Sequence, residues 1–95
     1  GGGLLDNIPR ILPKTVDAVI DTRSWKVPAL FRFLCEKGRL GFDESYQVFN
    51  MGVGLTFMVG REEAAVAIQA ARKVGFKAVE IGEIQRGRGI VRLQR

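Results

Sequence analysis

Residues 53–94 read VGLTFMVGREEAAVAIQAARKVGFKAVEIGEIQRGRGIVRLQ, and the changes of period along them decide the fold class. In VGLTFMV (53–59), Val53, Leu55, Phe57 and Val59 alternate with Gly54, Thr56 and Met58, the period of a strand. REEAAVAIQAARKVGF (61–76) then reads as a helix. Glu62 and Glu63 lie at its positive end, Arg72 and Lys73 at its negative end, and Gly75 supplies a left-handed stop. AVEIGEI (78–84) and GIVRLQ (89–94) return to strand, and the tight QRGRG turn predicts that they pair as an antiparallel hairpin.

Upstream, PALFRFLCEK (28–37) predicts a helix with Pro28 in its first turn and Gly38 as its stop. Leu30, Phe31, Leu34 and Cys35 form its apolar stripe, and Trp25 is expected to fold over its end. DESYQVF (43–49) suits a shorter helix capped by Asp43, with Glu44 in the first turn. VDAVID (16–21) is a strand with Val16, Ala18 and Ile20 on one side. Leu4, Leu5, Ile8, Ile11 and Leu12 share one helical face, which Pro9 interrupts. That segment is either a turn followed by a helix capped near Asn7, or a helix kinked at Pro9, and Pro13 closes it. The order helix, strand, helix, helix, strand, helix, strand, strand predicts an α/β (α+β) sandwich: a mixed or antiparallel sheet with helices packed on one face. No linker or repeat divides residues 1–95, which read as one domain.

Composition narrows the chemistry. Apolar residues are 46% and charged residues 26% of the 95, a globular balance that argues against disorder. No run approaches the ~20 apolar residues of a membrane-spanning helix. With no secretory leader and a single cysteine, Cys35, the expectation is a reducing, cytoplasmic setting with Cys35 as a buried structural thiol. The first residue is not Met, which suggests a piece of a longer protein. Histidine is absent, removing the usual general base, the usual zinc ligand and any Ser-His or Cys-His pair. Glu80 and Glu83 fall on opposite faces of one predicted strand and make no acid–base couple. Fifteen basic residues against 10 acidic give a net charge of +5, and Arg86, Arg88, Arg92 and Arg95 all follow the last acidic residue, Glu83. That excess suits RNA, a solvated strand face or a phosphorylated small molecule; no aromatic–glycine pattern of an RNA-binding sheet accompanies it.

Two glycine clusters are the candidate site. In GGGLLDNIPR (1–10), Gly1, Gly2 and Gly3 leave backbone amides unobstructed ahead of a helix start, Asn7 can donate and accept, and Arg10 can fork onto a phosphate. The competing reading makes the glycines a frayed end, Asn7 a helix cap and Arg10 a surface charge. In FNMGVGL (49–55), Asn50 and Gly52 suit a left-handed turn and Gly54 close packing, so this cluster reads equally as architecture.

GGGLLDNIPRILP (1–13) and VFNMGVGLTFMV (48–59), with SWKVPALFRFL (24–34) and DESYQVFN (43–50), resemble the C-terminal domain of the AIR synthetase family over essentially the whole chain. The resemblance implies an ATP-dependent ring closure. Formylglycinamidine ribonucleotide and ATP become aminoimidazole ribonucleotide, ADP and phosphate, by way of a phosphorylated formyl oxygen. It also implies a magnesium-dependent homodimer whose N-terminal domain, absent from this chain, carries most ATP and metal ligands. Carried over by position, Gly1, Gly2, Gly3, Asn7 and Arg10 would bind substrate or nucleotide phosphate, and Asn50, Gly52 and Gly54 would shape the cleft. No catalytic or metal-binding residue is assigned here, and Mg-ATP is not expected to bind tightly to this segment or to turn over on it alone. The family commonly has Cys at position 51, so Met51 is read as packing. Two alternatives stand beside this: a basic α/β module binding RNA or another acidic partner through Arg86–Arg95, and a different enzyme of the same superfamily.

Overall fold

Strand β1 (Val16–Asp21) is the middle of a three-stranded sheet in the computed structural model, which describes residues 2–95. It pairs antiparallel with β2 (Gly82–Arg86) and parallel with β3 (Val91–Gln94), so the sheet is mixed, in the order β2-β1-β3. The expected hairpin between the last two strands therefore does not form. Its arms instead flank β1, and the four residues between them cross the start of that strand. There Gly87 N–H donates to Thr15 O at 2.9 Å and Gly89 N–H to Val16 O at 2.7 Å. Both backbone edges of β1 are thus satisfied, which a two-stranded hairpin would have left open. Both outer strands also begin later than the apolar runs suggested, because 78–81 and 89–90 serve as approach and turn. Glu80 consequently lies outside any strand.

Alternation along β1 sorts its side chains as the sequence indicates. Ala18 and Ile20 enter the core opposite Val91 and Leu93, while Asp17 and Asp21 take the other face. The head of the chain covers the core face. Helix α1 (Leu4–Asn7) runs directly into a single 3-10 turn, Ile8–Arg10, with Pro9 in its first turn, where the missing N–H costs nothing. Leu4, Ile8 and Leu12 point inward at helical spacing, but Ile11 turns to solvent.

Helix α2 (Ala29–Gly38) ends one residue beyond expectation: Arg39, not Gly38, is the left-handed residue, with φ 54°. Leu40 N–H to Cys35 O at 3.0 Å and Arg39 N–H to Glu36 O at 3.2 Å close the end, and they hold an unfavourable conformer in place. Cys35 is half-buried, since its helix lies at the margin of the core. The Trp25 ring meets Tyr46 edge-on at 6.2 Å. Helix α3 (Phe42–Val48) is capped by Gly41, and Asp43 sits inside the first turn, where its charge still faces the positive end. Tyr46 and Met51 complete the core.

The largest departure is at 53–60. These residues form no strand, and Leu55 and Phe57 are 74% and 73% exposed. Alternation makes a strand only where backbone partners are taken up; β1 is flanked on both sides, and 53–60 pairs with neither outer edge of the sheet. Helix α4 (Ala64–Lys73) follows a 3-10 turn, Arg61–Glu63, and Gly75 (φ 98°) stops it as predicted. None of its side chains is buried. Among the described residues, no helix is long and apolar enough to cross a membrane.

Candidate functional site

Gly1 lies outside the described residues, but Gly2 and Gly3 are held in place. Gly2 N–H donates to Val48 O at 3.2 Å, at the end of α3. Gly3 is buried, and a Cβ there would collide with the Tyr46 carbonyl oxygen and the Gln47 backbone. Only glycine lets the head of the chain lie this close against α3. The frayed-end reading fails for these two residues. So does the expectation that both amides stand open to a ligand, since that of Gly2 is already bonded. Asn7 holds the N-cap position of the 3-10 turn without a side-chain capping bond; its backbone N–H and its Nδ2 both donate to Gly3 O, at 3.1 and 2.9 Å.

The second cluster forms a tight turn. Val53 N–H donates to Asn50 O at 3.0 Å, and the two central residues, Met51 (φ 53°) and Gly52 (φ 97°), both have positive φ. This is the pattern of a type I′ turn, with Met where Asn or Gly is usual. Asn50 Oδ1 accepts Gly52 N–H at 2.8 Å, and Trp25 Nε1–H donates to Met51 O at 3.0 Å. A Cβ on Gly52 would sit 2.5 Å from Pro28 Cδ, so this glycine packs against the residue that opens α2. The Met51 side chain is buried beneath the turn.

Between head and turn lies a recess of about 240 Å³. Gly2, Gly3 and Asn7 line one side and Asn50, Gly54 and Thr56 the other, with Ile8 and Leu55 among the apolar wall residues. The two glycine-bearing segments, some 40 positions apart in the chain, therefore share one cavity. Arg10 and Gly52 are not part of its wall: Arg10 is exposed at the end of the 3-10 turn, and Gly52 faces Pro28. Among the described residues, no charged side chain lines the recess, and its polar character comes from peptide groups, two Asn side chains and one hydroxyl. A Cβ on Gly54 would meet nothing within 4 Å.

Sequence reasoning missed Thr56 and Trp25. The signal for Thr56 was present, because it shares the Gly54 face of the alternating run. Nothing local marks Trp25 as the donor to a residue 26 positions away.

Below the recess, burial pushes the Tyr46 hydroxyl above its usual range; nearby Cys35 adds to the shift and a hydrogen bond with Thr22 opposes it. The phenol stays neutral as part of the core.

A glycine-rich head and a glycine-bearing turn meeting over a mixed sheet define an α+β domain of one kind. Residues 1–94 match the family described as AIR synthase related protein, C-terminal domain, and the chain belongs to that family. Among curated relatives, the phosphoribosylformylglycinamidine cyclo-ligase of Desulfotalea psychrophila is 50% identical over 86 residues, covering 90% of this chain and 24% of that protein. The protein of the same name from Alkaliphilus oremlandii is 44% identical over 87 residues, 92% of this chain and 26% of the relative. That from Oceanobacillus iheyensis is 42% identical over 90 residues, 95% and 26% respectively. The chain spans about a quarter of the length of these relatives.

Proposed function

We propose that residues 1–95 serve as the C-terminal domain of an ATP-dependent cyclo-ligase that closes formylglycinamidine ribonucleotide to aminoimidazole ribonucleotide, releasing ADP and phosphate. The observation that carries this reading is the meeting of head and turn at one recess, in a chain whose relatives bear the cyclo-ligase name. The recess is the part of the substrate or nucleotide site that this domain supplies. Gly2, Gly3 and Asn7 face the ligand from the head; Asn50, Gly54 and Thr56 face it from the turn. Uncharged hydrogen-bonding groups suit the amide, amidine or hydroxyl portions of such a ligand. Arg10 would meet a phosphate only outside the recess.

The described residues include no group of three or more Asp, Glu, Cys or His side chains able to hold a metal ion. We assign no magnesium ligand to this chain; its part in the reaction is to bind, shape and exclude water. A further domain of the full-length protein supplies the ATP and metal ligands, the whole works as a homodimer, and its setting is the cytoplasm. RNA binding by the basic end is less well supported, because Arg92 is engaged by Asp17 and Gln85 and Arg95 lies over the Phe42 ring.

Gly54→Val in the full-length protein tests the reading. The side chain meets open space, so the fold should persist while KM for formylglycinamidine ribonucleotide or ATP rises at least about tenfold. An unchanged KM for both would remove the recess from the site. Failure of the full-length protein to form ADP in response to formylglycinamidine ribonucleotide would remove the activity.

A further inference from the structure

The turn that forms one wall of the recess is held from behind by a residue that never reaches the recess. Trp25 lies in the loop between β1 and α2, and its indole N–H donates to the carbonyl of Met51 at 3.0 Å. That carbonyl belongs to the peptide between the two positive-φ residues, the one whose orientation defines the turn. Met at φ 53° is in a conformation that a longer side chain adopts at a cost. Three contacts hold it there: the indole bond, the Asn50 Oδ1 bond to Gly52 N–H, and the seat of Gly52 on the Pro28 ring. Two of the three come from 25–28, so one short segment fixes the turn on the side away from the recess. The Met51 side chain also faces that side, lining a separate cavity with Val27 and Tyr46. The Trp25 ring is itself fixed edge-on against Tyr46, 6.2 Å between centroids and 83° between planes.

We propose that Trp25 is a positioning residue for the recess: through the Met51 carbonyl it fixes the peptide orientation that places Asn50 and Gly54 in the wall facing Gly2 and Asn7. This rests on the recess being part of a ligand site, as proposed above. Loss of the indole N–H leaves the sheet and the head in place and frees the 51–52 peptide to rotate. Asn50 and Gly54 then sample several positions, and a ligand must select the competent one, which weakens apparent affinity by the fraction populated. The effect falls on KM, because no Trp25 atom meets the reacting groups.

The test is Trp25→Phe in the full-length protein, read by backbone hydrogen exchange and by steady-state kinetics. A second variant replaces Trp25 with β-(3-benzothienyl)alanine, which keeps the shape and lacks the N–H, so a packing defect in the first cannot mask the result. The amides of Gly52 and Val53 are expected to exchange about tenfold faster. Those of Ala18 and Asp21, bonded within the sheet region to Ile90 and Ile81, should keep their rates. KM for formylglycinamidine ribonucleotide or ATP should rise several-fold with kcat nearly unchanged. Unchanged turn amides, or acceleration of sheet and turn together, would overturn the positioning role. Faster turn amides with both KM values unchanged would leave the hydrogen bond as described and overturn the recess as a ligand site.

Discussion

The carboxylate of Asp17 accepts the backbone N–H of Arg88, 71 positions further along the chain, at 2.8 Å. The same oxygen takes the N–H groups of Ile90 at 3.1 Å and Gly89 at 3.2 Å, and Arg92 Nε approaches the other oxygen at 3.5 Å. One buried side chain on the central strand thereby gathers the crossing between β2 and β3, and explains why those strands flank β1. The amide of Arg88 foremost, then that of Ile90, the Arg92 guanidinium and the Gly89 amide hold this carboxyl below its ordinary value, against an opposing effect of burial.

A folded-state pKa below the unfolded one means that the charged carboxylate stabilises the fold at neutral pH. That contribution is complete above the ordinary carboxylate range and is lost as pH falls through the lowered folded value. Asp17→Asn should therefore be less stable than the parent at pH 7, with the gap narrowing below about pH 4 as the parent carboxyl takes up its proton. Urea melts across pH 2–7 would show it. A gap of constant size down to the lowest pH would mean that the charge is not the stabilising feature.

Gly3 and Gly54 both line the recess, yet they answer differently to one added methyl group. Gly3→Ala must push the head away from the Tyr46 carbonyl and the Gln47 backbone, an overpacking expected to cost about 1–3 kcal/mol. Gly54→Ala places its methyl in open space, and its stability should stay within about 0.5 kcal/mol of the parent. Chemical denaturation of the pair distinguishes a glycine needed for packing from one that leaves room.

These contrasts show what could be read from the sequence. Local signals held where the deciding contact is local: the inward set Leu4, Ile8 and Leu12, the faces of β1, and the stop at Gly75. They failed where a partner far along the chain decides. The period of 53–59 is that of a strand, but a strand needs a backbone partner: β1 is taken by segments 60 and more residues away, and 53–59 pairs with neither outer edge of the sheet. The hairpin reading of 78–94 failed for the same reason, since nothing near QRGRG announces the Asp17 carboxylate. At the recess, the glycines marked both segments as candidates, each with an architectural reading beside it. It did not show that Gly52 serves Pro28 or that Arg10 faces elsewhere.

Met51 joins a left-handed turn to the core, and the two roles ask for different residues. The turn prefers Asn or Gly, whereas the core needs an apolar side chain, and Met51 is buried there. Met51→Ala keeps the backbone demand and removes only the packing. It should destabilise by about 2–5 kcal/mol in equilibrium urea unfolding. A loss under 1 kcal/mol would show that the cavity beside Val27 and Tyr46 closes around the smaller side chain.

The apolar side chains of 55–59 and of α4 face solvent together with the segment beyond it: Leu55, Phe57, Val66, Val74 and Phe76 are each about two-thirds to three-quarters exposed. Exposed apolar groups in this number favour association. The 95-residue chain in solution should accordingly show a concentration-dependent rise in weight-average mass by sedimentation velocity. Phe57→Ser should reduce that rise while leaving the urea midpoint nearly unchanged, because Phe57 contributes little to the core at 73% exposure. A large fall in the midpoint would instead mean that residues 53–60 pack against the domain in solution as the strand their alternation predicts, with Phe57 on its inner face.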